Sequence, residues 1–478
     1  MIQGRAIAAA VLAVVAGAVP AAEAAPGAGP TAIVSLGDSF ISGQAGRWQG
    51  NSNVLIGSRA GTDRACVMTR SGCRYDVGRV YLGGTRPPGC ARSDVAEIRS
   101  ASISVDERIN LACSGAVTTN IFRSSAGGRV FKREAPQADQ LAAIARTRDL
   151  RLIVLSIGGN DIGFTEVVAT CVLAYVTQAP PCADRQRRKI EARLPRAVAG
   201  VRKAIDEIRA VMRSAGYRPW HYRLVLQSYP SPVPRASENR YPERGPARGA
   251  IGNCPLYDKD LDEARDTLVP RLDGELRTIA LEKGAQFLSL RDSLQGHEMC
   301  ARSARLADAA NPPSAATSEW ARFIGLSAIL QGETIEEEAH PNAYGQRALG
   351  SCLTLLFARA TGSWACRNTP GRGTDAMVLS RVSSLPGRFR LHLRASPRRV
   401  RAGRRRCFTF RALSDGQPVE RVTVRFAGRR GRTSRTGRVR KCVRLRRARR
   451  YRATARRSGF RPASVTVRAR RPSSRSRR

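Results

Sequence analysis

The run at 150–157, LRLIVLSI, sets one arginine and one serine among aliphatic side chains. A strand that apolar has no solvated face, so it belongs inside a parallel sheet covered by helices on both sides. It stops at Gly158-Gly159-Asn160-Asp161. A shorter apolar run at 33–36, IVSL, stops in the same way at Gly37-Asp38-Ser39. Between and beyond these runs, apolar residues recur every three or four positions. Ile190, Leu194, Val198, Val201, Ile205, Ile208 and Val211 predict a long helix over 189–215. A second long helix is expected over 261–283, ended by Gly284, with shorter ones at 137–146 and 346–358. Further strands are expected at 222–229 and 286–290, whereas 44–110 reads as a loop-rich insertion. Strands alternating with helices predict a three-layer α/β/α sandwich around a parallel sheet. Such sheets bind ligands beyond the carboxyl ends of their strands. Ser39 and Asn160 both fall just past strand ends, which places them in one expected site.

Four short blocks carry the chemistry. Ser39, in IVSLGDSFIS at 33–42, follows a strand, and a serine hydroxyl turns nucleophilic once a base takes its proton. His340, in EEEAHPNAYG at 336–345, precedes a helix and supplies such a base. Gly115, in NLACSGA at 110–116, exposes a backbone N–H with no Cβ in the way. Asn160, in LSIGGNDIGF at 155–164, offers uncharged amide donors. GDSF, ACSG, GGND and HPN in this order resemble the SGNH (GDSL) hydrolase family, most closely its secreted actinobacterial esterases and lipases. The resemblance spans 31–366. It implies an acyl-enzyme on Ser39, with His340 as base and an oxyanion held by the N–H groups of Ser39 and Gly115 and by the Asn160 side chain. Asp38 and Asp161 are expected to brace the two turns. The pattern departs from the family at one point. Most members carry Asp three residues before the histidine, where this chain has Glu337 between Glu336 and Glu338. Glu337 is expected to orient His340, with a backbone carbonyl as the alternative that some relatives use. No G-x-S-x-G occurs, which argues against the nucleophile elbow of α/β-hydrolases. No nucleotide-binding glycine pattern occurs either, and no cofactor is expected.

Charge divides the chain. Residues 381–478 hold 35 Lys+Arg against 2 Asp+Glu, and the first 380 residues hold 47 against 36. The basic part is therefore a different object from the rest. Short alternating runs punctuated by glycines predict a β-sandwich over 387–471. A linker is expected at 368–386, and a disordered basic tail at 472–478. Residues 1–25 read as a signal peptide, with Arg5, an apolar run at 6–19 and Ala22-Glu23-Ala24, leaving 26–367 as the catalytic domain of a secreted protein. Twelve cysteines suit export and disulfides, and no C-x-x-C or histidine cluster suggests a metal. Adjacency along the chain pairs Cys66–Cys73, Cys90–Cys113, Cys171–Cys182, Cys254–Cys300, Cys352–Cys366 and Cys407–Cys442. The family resemblance adds to the second, third and fourth pairs. The basic domain is expected to meet an anionic envelope polymer or lipid head groups rather than nucleic acid, with the chain a monomer. The resulting expectation is a secreted serine esterase or lipase acting on an ester or lipid substrate. A carbohydrate O-deacetylase and a catalytically silent cell-surface binding protein are the alternatives.

Overall fold

The computed structural model describes residues 29–325, 335–384, 389–414, 417–457 and 460–471. The expected signal peptide and basic tail lie outside them. The first domain opens with β1 (Thr31–Gly37) and the single-turn helix α1 (Ser39–Ser42). The insertion after them is not all loop. It holds the hairpin β2 (Cys66–Thr69) and β3 (Gly72–Tyr75), then α2 (Glu97–Ser100) and β4 (Glu107–Asn110). Next come α3 (Gln137–Thr147), β5 (Asp149–Ser156), α4 (Phe164–Val176), α5 (Ala183–Ser214) and β6 (Arg223–Gln227). α6 (Asp258–Asp262) continues through a π-helical turn, Glu263–Leu268, into α7 (Val269–Lys283). β7 (Gln286–Asp292), α8 (Ala343–Phe357), β8 (Gly362–Arg367) and β9 (Val378–Ser384) complete the domain.

Seven strands form one sheet in the order β4-β1-β5-β6-β7-β8-β9. All pairs are parallel except β8 with β9. Along β5, Ile153 and Leu155 enter one core, packed against Leu141 of α3, Ile205 of α5 and Leu276 of α7. Leu152 and Val154 enter the other, with Ile98 of α2 and Leu349 and Leu353 of α8. Burial on both faces is why this stretch shows no polar alternation. The three-layer α/β/α sandwich expected from the sequence is thus the fold.

All six expected cysteine pairs are at bonding distance. The expected linker at 368–386 needs correction. Residues 378–384 form β9, an edge strand on β8, and Met377 and Leu379 pack on the second core. Glycine, proline and serine around this stretch obscured its own alternation.

The basic region forms three sheets, of two, four and five strands, around Phe408, Phe410, Val424, Phe426, Val465 and Val467, with Cys407 directly opposite Cys442. Trp220, from the first domain, is a member of the sandwich core. Its Nε1 donates to Pro418 O at 3.1 Å, and Arg457 Nη2 donates to Trp220 O at 2.6 Å. Arg435 pairs with Asp149 at 2.5 Å. Asp149 and Trp220 lie at the amino ends of β5 and β6, so the sandwich docks at the end of the sheet opposite Ser39. Truncating a buried aromatic typically costs about 3–5 kcal/mol. Trp220→Ala is therefore expected to split one calorimetric unfolding transition into two as the domains uncouple. An unchanged single transition would show that the indole does not join them.

Candidate active site

Ser39 is the first residue of α1, one residue past the end of β1 plus its cap. Asp38 caps that helix, its Oδ1 accepting from Phe40 N at 3.2 Å, and Gly43 closes it in the left-handed region. The Asp38 carboxyl also accepts from the Tyr229 hydroxyl, which in turn accepts from Gly159 N at 3.0 Å. Tyr229 so ties the Ser39 turn to the Asn160 turn. Burial pushes the Asp38 carboxyl up to about 7. Asp161 accepts from Thr118 N at 3.0 Å and from its hydroxyl at 2.6 Å, bracing its own turn.

His340 arrives from the other end of the chain. Arg322 N donates to His340 O at 2.9 Å and Ala339 N to Arg322 O at 3.0 Å, a strand-like pairing that holds the loop. Asn342 caps α8, its Oδ1 accepting from Tyr344 N and Gly345 N. Its Nδ2 donates to Glu319 O at 2.8 Å. Gln346, one turn into α8, donates to Phe40 O at 2.8 Å and so ties the His340 helix to the Ser39 helix. The outcome is a Ser39 Oγ to His340 Nε2 distance of 2.7 Å, with both residues under 10% exposed.

The other ring nitrogen, Nδ1, lies 2.8 Å from the backbone carbonyl of Glu338. A carbonyl only accepts, so the proton sits on Nδ1 and Nε2 is left to accept from Ser39. Burial holds the imidazole below its ordinary value, at about 4, and the Glu338 and Glu337 carbonyls offset part of that shift.

The Glu337 expectation is contradicted. Its carboxylate accepts from the Tyr81 hydroxyl and, at 3.2 Å, from Trp48 Nε1, beside Arg47 and Arg322. The longer glutamate side chain reaches across into the insertion, where two donors and two guanidiniums offset its burial. Nor are its neighbours merely solvated. Glu336 sits 3.6 Å from Lys132, and Glu338 Oε1 accepts from Gly325 N at 3.2 Å.

The remaining expected residues come together. Cys113 N donates to Gly37 O at 3.0 Å, drawing the Gly115 turn beside Ser39. Asn160 Nδ2 donates to Ala116 O at 2.9 Å with one hydrogen and has a second to offer. Among the described residues, neither the Ser39 nor the Gly115 amide donates to a protein acceptor. Gly115 has φ +83°, a conformation that favours glycine. Ser39 and Asn160 line a cavity of about 110 Å³ whose walls include Phe164, Val167, Val233, Leu256, Leu272 and Ile324. Cys171, Cys182 and Asp260 bring three ligand-type atoms within 4.8 Å of one another. The two sulfurs are bonded to each other and Asp260 accepts from two amides, so no thiolate is left for a metal.

Tyr229, Gln137 and Gln346 were not singled out from the sequence. Tyr229 had a usable signal, since it follows a strand end as Ser39 and Asn160 do. Gln137 and Gln346 had none, because a glutamine that bonds distant backbone looks like any surface glutamine.

A parallel α/β sandwich with a serine and a histidine hydrogen-bonded past its strand ends is the framework of an SGNH-type hydrolase. The chain matches the GDSL-like lipase/acylhydrolase family over residues 35–348, more than half its length, and belongs to that family. No curated protein matches it. A solved structure titled as a gut microbial diltiazem-metabolizing enzyme is similar at 11% identity, with a TM-score of 0.29. That match covers 87% of this chain and 62% of the other, so this chain spans less than two thirds of its length.

Because Glu337 anchors the loop rather than the imidazole, Glu337→Gln is expected to lower stability by about 1–3 kcal/mol, the cost of an unmatched buried donor. The pH midpoint of activity is expected to stay where it is. A stable variant with turnover cut a hundredfold would restore Glu337 as the partner of His340.

Proposed function

We propose that the protein is a secreted serine esterase that cleaves carboxylic esters through an acyl-enzyme on Ser39, with His340 as the single general base. The observation that carries this reading is the 2.7 Å Ser39–His340 hydrogen bond at the rim of an apolar cavity. His340 Nε2 takes the hydroxyl proton as Ser39 Oγ bonds to the ester carbonyl carbon. The carbonyl oxygen becomes an oxyanion, stabilised by the amides of Ser39 and Gly115 and the second N–H of Asn160. Collapse breaks the bond to the alcohol oxygen, which leaves with the proton from His340. A water then gives its proton to His340 and attacks the acyl carbon. The acid departs and Ser39 regains its hydrogen.

The Glu338 carbonyl keeps the reactive tautomer in place throughout. It carries only a partial charge, so the ring is neutral at rest over most of the pH range. Six disulfides suit an oxidising compartment and support the reading of export.

The apolar walls favour an acyl chain over a bare acetyl group, which counts against sugar O-deacetylation. Each buried methylene contributes about 0.8 kcal/mol, so two more carbons should raise kcat/KM on the order of tenfold. Hydrolysis of p-nitrophenyl esters from acetate to palmitate checks this, and the expected optimum lies above acetate. A fluorophosphonate probe is expected to label wild-type protein and not Ser39→Ala. A preference for acetate would favour the deacetylase, and absence of both labelling and turnover would favour a silent binding protein.

A further inference from the structure

A cleft of about 1150 Å³ lies between the two domains, at the amino ends of β5, β6 and β7. Eight arginines and one carboxylate, Glu420, line it. Glu420 is itself shared between Arg151 at 3.8 Å and Arg421 at 4.0 Å. Two guanidiniums here donate to backbone carbonyls and also lie over ring faces, Arg457 over Phe460 and Arg223 over Phe357. Arg457 donates to Glu420 O at 2.7 Å and Trp220 O at 2.6 Å, and Arg223 donates to Arg359 O at 2.9 Å and Leu356 O at 3.3 Å. Carbonyls fix a guanidinium in place without neutralising it. Burial, with other arginines beside them, pulls Arg457 down to about 10 and lowers Arg223 as well.

The wall that the sandwich contributes is ordered. Thr423 pairs with both Arg432 and Arg456, and Arg425 pairs with Thr454 and Arg430. The alternate positions Val424, Phe426 and Ala455 point into the sandwich core. Arg425, Arg432 and Arg456 therefore share the outward face with two threonine hydroxyls. With strands about 5 Å apart and alternate residues about 7 Å apart, Arg432 and Arg456 stand about 10 Å apart on either side of Thr423, and Arg425 lies diagonally from both. Like charges facing one another across strands destabilise a sheet. Arg425 faces Arg430 in this way, while the acids beside the cleft, Asp149 and Glu420, pair with Arg151 and Arg421.

We propose that this interdomain cleft binds a linear polyanion carrying closely spaced phosphate groups, gripped by Arg223, Arg425, Arg432, Arg456 and Arg457. Arginine suits that chemistry because its planar fork meets two phosphate oxygens at once, where lysine offers a point charge. The cleft lies at the far end of the sheet from Ser39, so binding there leaves the hydrolytic site open. Polyanion binding here is independent of ester hydrolysis at Ser39. It also narrows the general attraction expected of a basic domain to one place, which exists only when both domains are docked.

The test uses the mature full-length protein and fluorescently labelled linear inorganic polyphosphate. Arg425→Gln, Arg432→Gln and Arg456→Gln are combined in one variant. A control variant combines Arg405→Gln, Arg429→Gln and Arg440→Gln, which removes the same charge elsewhere on the sandwich. At about 0.15 M salt the cleft variant is expected to lose about tenfold or more in affinity and the control less than about threefold, with a flatter salt dependence in the cleft variant. Each single cleft change is expected to weaken binding about two- to threefold, which keeps the test readable if the triple variant does not fold. Ester hydrolysis should be unchanged in all of them. Equal losses in the two triple variants, or no binding by the wild type, would overturn the proposal. So would tighter binding of single-stranded DNA of matched charge with the same arginine dependence, because the cleft would then be a nucleic-acid site.

Discussion

β1 and β5 run in parallel to their carboxyl ends and meet where Gly37 pairs with Ser156. A Cβ on Gly37 would lie 1.9 Å from Ser156 O, so the strands close to this distance only because residue 37 has no side chain. Gln137 takes both backbone groups of Gly37, accepting its N–H at 2.7 Å and donating to its O at 2.8 Å. Asp38 N donates to Ser156 O at 3.1 Å. The chain must turn immediately after this contact, and the first residue of the helix it enters is Ser39. The same contact lies at the reversal of strand order, β4 to one side of β1 and β5 to the other, which is where open α/β sheets form their binding crevice. The positions of Ser39, the amides beside it and the cavity follow from two strands packed too closely for a methyl group.

His340 is placed on a different principle. An imidazole beside a carboxylate gains affinity for its proton, whereas one beside a carbonyl gains direction and little charge. His340 is buried and faces the Glu338 carbonyl, so desolvation dominates and the ring stays neutral. That suits the proton-accepting role proposed for it. Glu337 acts one step away. It fastens the His340 loop to Trp48 and Tyr81, and Arg322 stacks 3.8 Å from the Trp48 ring to close the cluster. The loop-rich insertion thereby becomes the wall against which His340 is set.

The sheet and its site were legible because they rest on local signals. Apolar runs ended by glycine marked β1 and β5, periodic apolar residues marked α5 and α7, and four short blocks marked Ser39, Gly115, Asn160 and His340. What was missed depended on distance. β4 is four residues long with only its last buried, so nothing local distinguished it from loop. α4 carries apolar residues on several sides because it also walls the cavity, which blurs its period. Glu337 was misassigned because its position three residues before the histidine suggested a partner. The donors that claim it, Trp48 and Tyr81, are more than 250 residues away in sequence. The docking of Trp220 into the sandwich was hidden for the same reason, since a single tryptophan before a strand carries no sign of which core it joins.

The central claim is that His340 is a neutral base oriented by a carbonyl, hydrogen-bonded to Ser39 without a carboxylate behind it. Nitrogen-15 NMR of histidine-labelled protein, with the His340 signals assigned by loss in His340→Gln, tests it directly. Across neutral pH the ring should show a protonated Nδ1 and a bare Nε2. On acidification it should take its second proton well below the ordinary imidazole value, with a midpoint near about 4. A midpoint at or above about 6.5, with both nitrogens protonated at neutral pH, would place an ionised carboxylate against the ring and contradict the account.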